Sequence, residues 1–270
     1  VLGTRCFLGI MNGNLPMIDA LLDQSLIQQY AIAILNTNEF QPLSLTRLAA
    51  VTQISIFNRP ERLLKCCGFI FQFLNYIDQY AVLYFFSSVF NEAFELHPFQ
   101  RWLIASKLPF LISNQISQTE IDDHRLSYLF RLVIESKKSS ILFPHFACDQ
   151  IISELSRRQT KFEDDRWEAI LSIYTTDTVD SMRFLYHHAA KTLKEPFLEC
   201  KRCHVAALNL ITEMIKNDVQ LHVLIANDDL SSTLNRLMIQ FPTHTFMLNA
   251  IHEFVTAAFT SIEISNNIVP

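Results

Sequence analysis

The chain has 270 residues, half of them hydrophobic and 18% charged, with a formal net charge of −5. That composition excludes an intrinsically disordered chain, which is poor in apolar residues and rich in charge. It also gives no positive field to attract nucleic acid, since the basic residues come in ones and twos, as at Lys137-Lys138 and Arg157-Arg158. Glycine is the outlier: Gly3, Gly9, Gly13 and Gly68 are the only four, against roughly nineteen at average usage. Phosphate-cradling loops, dinucleotide fingerprints and the strained nucleophile elbow all need glycine, so none has a place after Gly68.

Apolar residues recur three and four apart along most of the chain and almost never alternate, which predicts helix throughout. Asn12 to Pro16 reads as a turn with Pro16 at a first helical position, followed by helices near 17–24 and 26–36, the second with Ser25 as its N-cap. Pro42 and Pro60 open two more, near 43–57 and 60–75, the latter with Leu63, Leu64, Cys67 and Phe71 on one stripe, and Asp78 opens the next. Residues 69–90 are apolar enough to raise a membrane span, but Gln72, Asn75, Asp78 and Gln79 interrupt them. A span needs about 20 predominantly apolar residues without such a central charge, so two packed helices of a water-soluble protein are expected instead. Pro98 and Pro109 bracket a short helix around Trp102, and Thr119 with Asp122 starts one that runs to near 135. Pro144, Phe162 and Asp177 begin the next three, and the last helices fall near 200–217, 228–240 and 243–261.

Taken in pairs, these helices recur roughly every 40 residues, the period of stacked two- and three-helix units. The expected architecture is therefore an all-α armadillo/HEAT-like helical repeat solenoid, although no repeat is crisp in the sequence. No Pro/Ser-rich linker, charge run or low-complexity stretch divides it, so residues 1–270 are drawn as one domain. The start lacks Met and any secretory order of residues, and is read as truncated. An array of this kind is a binding surface first and an enzyme in the minority of cases.

The sharpest local motif is CKRCH, Cys200 to His204, the pattern through which haem is attached. It leads straight into the amphipathic run VAALNLITEMI, and a zinc site would need two further ligands, for which His187-His188 could be recruited only by folding. The motif is read as thiols at the start of a helix, with no cofactor and no metal. Cys6, Cys66, Cys67, Cys148, Cys200 and Cys203 are too sparse for a disulfide framework, so reduced thiols in the cytoplasm are expected, with the nucleus as the alternative. The paired acids Asp122-Asp123 and Asp164-Asp165 point about 100° apart on a helix and sit near predicted helix starts, where they complement the macrodipole rather than act as acid and base. His252-Glu253 lacks the second histidine of a zinc protease, and the 22 phenylalanines are expected in the core.

Several stretches match one family in order. QPLSLTRLAAV at Gln41 to Val51 is followed by Arg59-Pro60-Glu61 with Leu64, then by Trp102-Leu103 with Lys107-Leu108-Pro109, and finally by FPTHTFMLNAI at Phe241 to Ile251. These resemble the Asn-Pro-Leu stretch, the Lys-Pro-Glu-Glu-Met-Leu helix start, the Trp-Leu helix before Leu-Ile-Pro, and the Tyr-Pro-Trp-Asn-Asn-Phe-Leu-His-Asn-Gln-Val segment of the SAPS-domain family. That family comprises regulatory subunits of the type-6 serine/threonine protein phosphatase. The last match keeps Pro242, Phe246 and Asn249 without a gap, while Thr243 stands where the family has tryptophan. The resemblance implies a non-catalytic scaffold that binds a type-6-like phosphatase catalytic subunit and directs its substrate choice. Arg101 and Asn249, in or beside the two best motifs, are the candidate partner-binding residues. Asn249 could instead satisfy an internal carbonyl, and a general armadillo/HEAT adaptor for linear peptides or another protein shares every compositional feature.

Overall fold

The computed structural model describes residues 15–23, 25–36 and 41–259, and among them there is helix and turn but no strand. Contacts gather the chain into two compact units, one ending at Phe146 and the other beginning at Ala147. The division falls at Phe146-Ala147-Cys148, which carries none of the composition that marks a linker. The first unit holds α1 (Leu15–Asp23), α2 (Leu26–Leu35), α3 (Pro42–Asn58), α4 (Pro60–Leu63), a 3-10 stretch (Gly68–Tyr76), α5 (Tyr80–Val89), a 3-10 turn (Phe94–Leu96), α6 (His97–Ala105), α7 (Leu108–Ser117), α8 (Asp123–Ser136) and α9 (Phe143–Phe146). The second holds α10 (Asp149–Arg157), α11 (Glu163–Ile173), α12 (Val179–Met182), α13 (Leu185–Lys194), α14 (Arg202–Asn217), α15 (Gln220–Ala226), α16 (Leu230–Gln240) and α17 (Thr245–Phe259).

Proline sets many of the starts, because its fixed φ suits the first helical turn and its missing N–H is not needed there. Pro42 and Pro60 open α3 and α4 and Pro98 sits in the first turn of α6, but Pro109 opens α7 instead of closing α6. The chain reverses between α6 and α7 through Lys107, a non-glycine residue held left-handed at φ 61°. Ser25 is also left-handed, at φ 51°, and caps nothing with its side chain; its carbonyl accepts the N–H groups of Gln28 and Gln29 instead. Asp122 rather than Thr119 caps α8, its carboxylate accepting from the N–H groups of His124 and Arg125 at 3.1 and 3.4 Å. Asp78 does not open α5, which begins at Tyr80 behind an extended Gln79. Pro144 lies in the short α9, and the longer α10 follows from Cys148. Two helices, α7 and α15, stand where the apolar period alone predicted none. The turn expected from Asn12 falls partly outside the described residues, as do the last two positions of the helix expected to 261.

The continuous helix expected over 60–75 is replaced by α4 and the 3-10 stretch, with turn bonds from Cys66 to Leu63 and from Ile70 to Cys67 that each span three residues. Tighter winding changes which side chains point inward. The buried set becomes Leu63, Cys66, Cys67, Phe69, Ile70, Phe73 and Leu74, whereas Leu64 and Phe71 are only half-buried. One α-helical stripe cannot bury all seven. The phenylalanines here are core, as expected: Phe69, Phe73, Phe85, Phe86, Phe90 and Phe146 form a chain of edge-to-face contacts with centroids 5.3 to 6.1 Å apart. Beside them the buried Gln100 donates to the carbonyls of Val89 and Asn91 at 2.8 and 2.9 Å and accepts from the Ser139 hydroxyl at 2.9 Å, so all of its amide is satisfied.

Within each unit the long-range side-chain hydrogen bonds have a common reach. Arg59 to Asp19 spans 40 residues, Tyr76 to Leu35 spans 41, Cys203 to Asp164 spans 39 and Arg236 to Leu193 spans 43. Each of these four bonds ties a segment to one about 40 residues earlier. Among the described residues no helix is long and apolar enough to cross a membrane.

The phenylalanine chain sets one expectation. Phe86 is fully buried between Phe85 and Phe90, so Phe86→Ala should lower stability by about 3–5 kcal/mol. Urea unfolding of the full chain, followed by circular dichroism, reads this as an earlier first transition.

Candidate functional site

The second unit is organised by α14, RCHVAALNLITEMIKN, which packs along α11, α13 and α17. Small residues at Ala206 and Ala207 and long ones at Leu208, Leu210, Ile211, Met214 and Ile215 are all buried, so the helix has apolar contacts on several sides. Its start is assembled from three directions. The Lys201 N–H donates to Nδ1 of His204 at 3.0 Å, the Cys203 N–H donates to Asp164 of α11 at 2.7 Å, and the guanidinium of Arg202 reaches Asp165 and Glu168 of α11 at 3.3 and 3.1 Å. Behind it the His204 ring stacks on Phe197 at 3.6 Å between centroids, and Phe197 stacks in turn on Phe241 at 5.4 Å. Gln240 and Arg236 of α16 hold this connection by donating to the carbonyls of Phe197 and Leu193, both at 2.6 Å.

In front of this start lies a groove of about 520 Å³, lined by residues including Asp164 and Glu168 of α11, Arg202 and Asn209 of α14, and His244 and Phe246 at the start of α17. Phe246 is 74% exposed, and His244 accepts the Met247 N–H at Nδ1, which holds the first turn of α17. A second cavity, about 680 Å³, lies beside α13 and α15, but its central polar groups are spent on one another. There the Tyr186 hydroxyl donates to Asp228 at 2.7 Å, Lys194 pairs with the same carboxylate, and burial raises the Tyr186 phenol.

The groove decides what the CKRCH segment does. Burial pushes the Cys200 thiol up to about 11, and burial together with the nearby Asp164 pushes the Cys203 thiol up to about 12. At neutral pH both are therefore protonated, the form that is a poor nucleophile. His204 is a helix-start residue whose Nδ1 is occupied and whose ring is covered by Phe197. His187 and His188 are exposed on α13, edge-on to Tyr186 and Phe184 respectively. Among the described residues no group of three or more His, Cys, Asp or Glu side chains is placed to hold a metal ion.

Of the paired acids, Asp164 caps not its own helix but α14, and Asp165 is buried against Arg202. Arg101 is exposed on α6 of the first unit, with no ion pair among the described residues. Asn249 is exposed on α17 of the second, one turn beyond Phe246, and among the described residues its amide satisfies no internal carbonyl. The groove itself, and Asn209 in it, were not visible from spacing, because they depend on which helices become neighbours. Comparison with family models, with curated proteins and with solved structures gave no match to this chain.

His204 carries a pH expectation. Burial lowers its affinity for a proton, outweighing the attraction of Asp164, and protonation at Nδ1 would break the bond from Lys201. A group whose folded pKa is depressed contributes stability that is fully present above its unfolded pKa, about 6.5 for imidazole, and lost as pH falls below it. In His204→Gln the amide oxygen can take the Lys201 N–H in the manner of a capping box. Stability measured by denaturant between pH 7 and pH 5 should therefore fall less steeply in His204→Gln than in the parent chain.

Proposed function

We propose that the chain is a non-catalytic scaffold of armadillo/HEAT-like repeats that binds a type-6-like serine/threonine phosphatase catalytic subunit and directs its substrate choice, in the cytoplasm or the nucleus. The observation that carries this reading is Phe246, 74% exposed at the groove within the Phe241 to Ile251 stretch that most resembles the SAPS-domain family. Beside an open groove its ring offers a large apolar face for a partner to cover. Exposed aromatics of this kind are the usual anchors of protein interfaces. The long-range hydrogen bonds near 40 residues apart support stacked repeats, since each unit of a solenoid touches mainly its neighbours. Arg101, exposed beside the Trp102 motif of the first unit, and Asn249 of the second are the candidate partner contacts.

The test is a titration of the full chain against the catalytic subunits of phosphatase types 6, 4 and 2A in parallel. Saturable binding selective for type 6 is expected, weakened about tenfold or more in Phe246→Ala, as for an interface hot spot. Equal indifference to all three subunits overturns the reading.

A further inference from the structure

The connection between α10 and α11 crowds three cations into one short stretch, Arg157-Arg158-Gln159-Thr160-Lys161. α10 ends at Arg157 and α11 starts at Glu163, and between them Arg158 is extended, at φ −74° and ψ 120°. Arg157, Gln159 and Lys161 are exposed, while Arg158 and Thr160 are half-buried. Elsewhere the chain spends its arginines: Arg59, Arg166, Arg183, Arg202 and Arg236 each donate to a carboxylate or a backbone carbonyl. The side chains of Arg157 and Arg158 do neither among the described residues, and Nε of Arg158 is buried without a hydrogen-bond partner. One cation would answer the negative end of α10. The second has no such partner in the fold.

These two arginines stand three and two residues before a hydroxyl, on chain that has left its helix. Protein kinases discriminate among substrate segments largely by charge pattern, acidic side chains of the kinase meeting basic side chains of the substrate. Arginine suits such a meeting because its planar fork pairs with a carboxylate through two hydrogen bonds. The Thr160 Oγ1 accepts the Phe162 N–H at 3.1 Å, and the oxygens of a phosphate ester on the same atom are strong acceptors that can keep that N–H. The chain holds a second stretch of the same order, Lys137-Lys138-Ser139-Ser140. There Lys138 pairs with Glu135 at 2.7 Å, and Ser139 is fully buried with its hydroxyl on Gln100. Both the N–H and the hydroxyl of Ser140 donate to Glu92, at 2.6 and 3.0 Å. Spacing does not separate the two stretches, but the structure closes the second and leaves the arginines of the first unspent.

We propose that Thr160 is a phosphorylation site for a basic-directed serine/threonine kinase, with Arg157 and Arg158 as the residues that the kinase reads. The step transfers the γ-phosphoryl group of ATP. A bond forms between Oγ1 of Thr160 and phosphorus, the bond from phosphorus to the bridging oxygen breaks to release ADP, and the hydroxyl proton passes to a carboxylate base of the kinase. The inference rests neither on the groove nor on a phosphatase partner.

The full chain is incubated with magnesium-ATP and the catalytic subunit of the cyclic-AMP-dependent kinase as a basic-directed probe, and incorporation is followed by intact mass and mapped by fragment mass spectrometry. One phosphoryl group on Thr160 is expected. It should be absent in Thr160→Ala and present again in Thr160→Ser. Its initial rate should fall about tenfold or more in Arg157→Ala/Arg158→Ala, as for lost charge recognition, and stay unchanged in Lys137→Ala/Lys138→Ala. All these positions are exposed or half-buried, so circular dichroism and thermal unfolding of each variant should match the parent chain. Should the arginine variant unfold, Arg157→Gln/Arg158→Gln removes the charges and keeps most of the side-chain bulk. No incorporation, incorporation at Ser140 or another hydroxyl in place of Thr160, or an equal rate without the two arginines overturns the site.

Discussion

The second unit depends on the burial of α14. A helix of 16 residues with ten of them buried cannot exist alone in water, since its stability comes from packing rather than propensity. It fixes the places of α11, α13 and α17, which all pack against it. Such complete burial leaves few positions for anything else. Apart from its two ends, Val205, Asn209 and Glu213 are the residues of α14 that are not buried, so any partner that reads this helix reads them.

Scarcity of glycine has a structural consequence as well as a chemical one. Helices commonly end on a left-handed glycine that lets the last carbonyls find donors, and this chain has no glycine after Gly68. Some of these carbonyls are met instead by side chains from helices later in the chain, 11 to 43 residues away. Tyr76 donates to Leu35 at the end of α2, Arg166 to Leu155 near the end of α10, and Arg236 to Leu193 and Lys194 at the end of α13. The opposite ends borrow in the same way, as when Asp164 of α11 accepts from the first turn of α14. Several termini are thus closed by neighbouring helices, and an interval near 40 residues recurs in the hydrogen bonding as well as in the apolar pattern.

That division explains what the sequence made legible. Helix class and several starts follow from local signals, namely the three-and-four spacing and the prolines at 42, 60 and 98. The break after Leu63 was hidden because Leu63, Leu64, Cys67 and Phe71 make a respectable α stripe. The larger demand of burying Phe69, Ile70, Phe73 and Leu74 is tertiary and wins. Asn249 was reachable through a resemblance in its own segment, whereas Asn209 lies in plain sequence and is placed in the groove only by the packing of α14 against α11 and α17. The CKRCH segment was read as thiols at a helix start, and the helix does begin there. What spacing could not show is how that start is held, by the His204 ring stacked on Phe197 and by Asp164 reaching over from α11.

Much of the ionisable lining of the groove is spent on the scaffold itself. Asp164 is committed to a backbone N–H, Arg202 to two carboxylates, and Nδ1 of His244 to the first turn of α17. A general acid or base needs a titratable group with a free proton path to a substrate, and these side chains are tied to the scaffold. Beside them the groove presents one neutral amide, Asn209, one aromatic face, Phe246, and an apolar floor, with Glu199 and Lys201 on its rim. An amide moves no proton at neutral pH and forms no covalent intermediate. In this groove most of the ionisable groups are tied to the helices that carry them, while Asn209 and the ring of Phe246 face outward from the packed core.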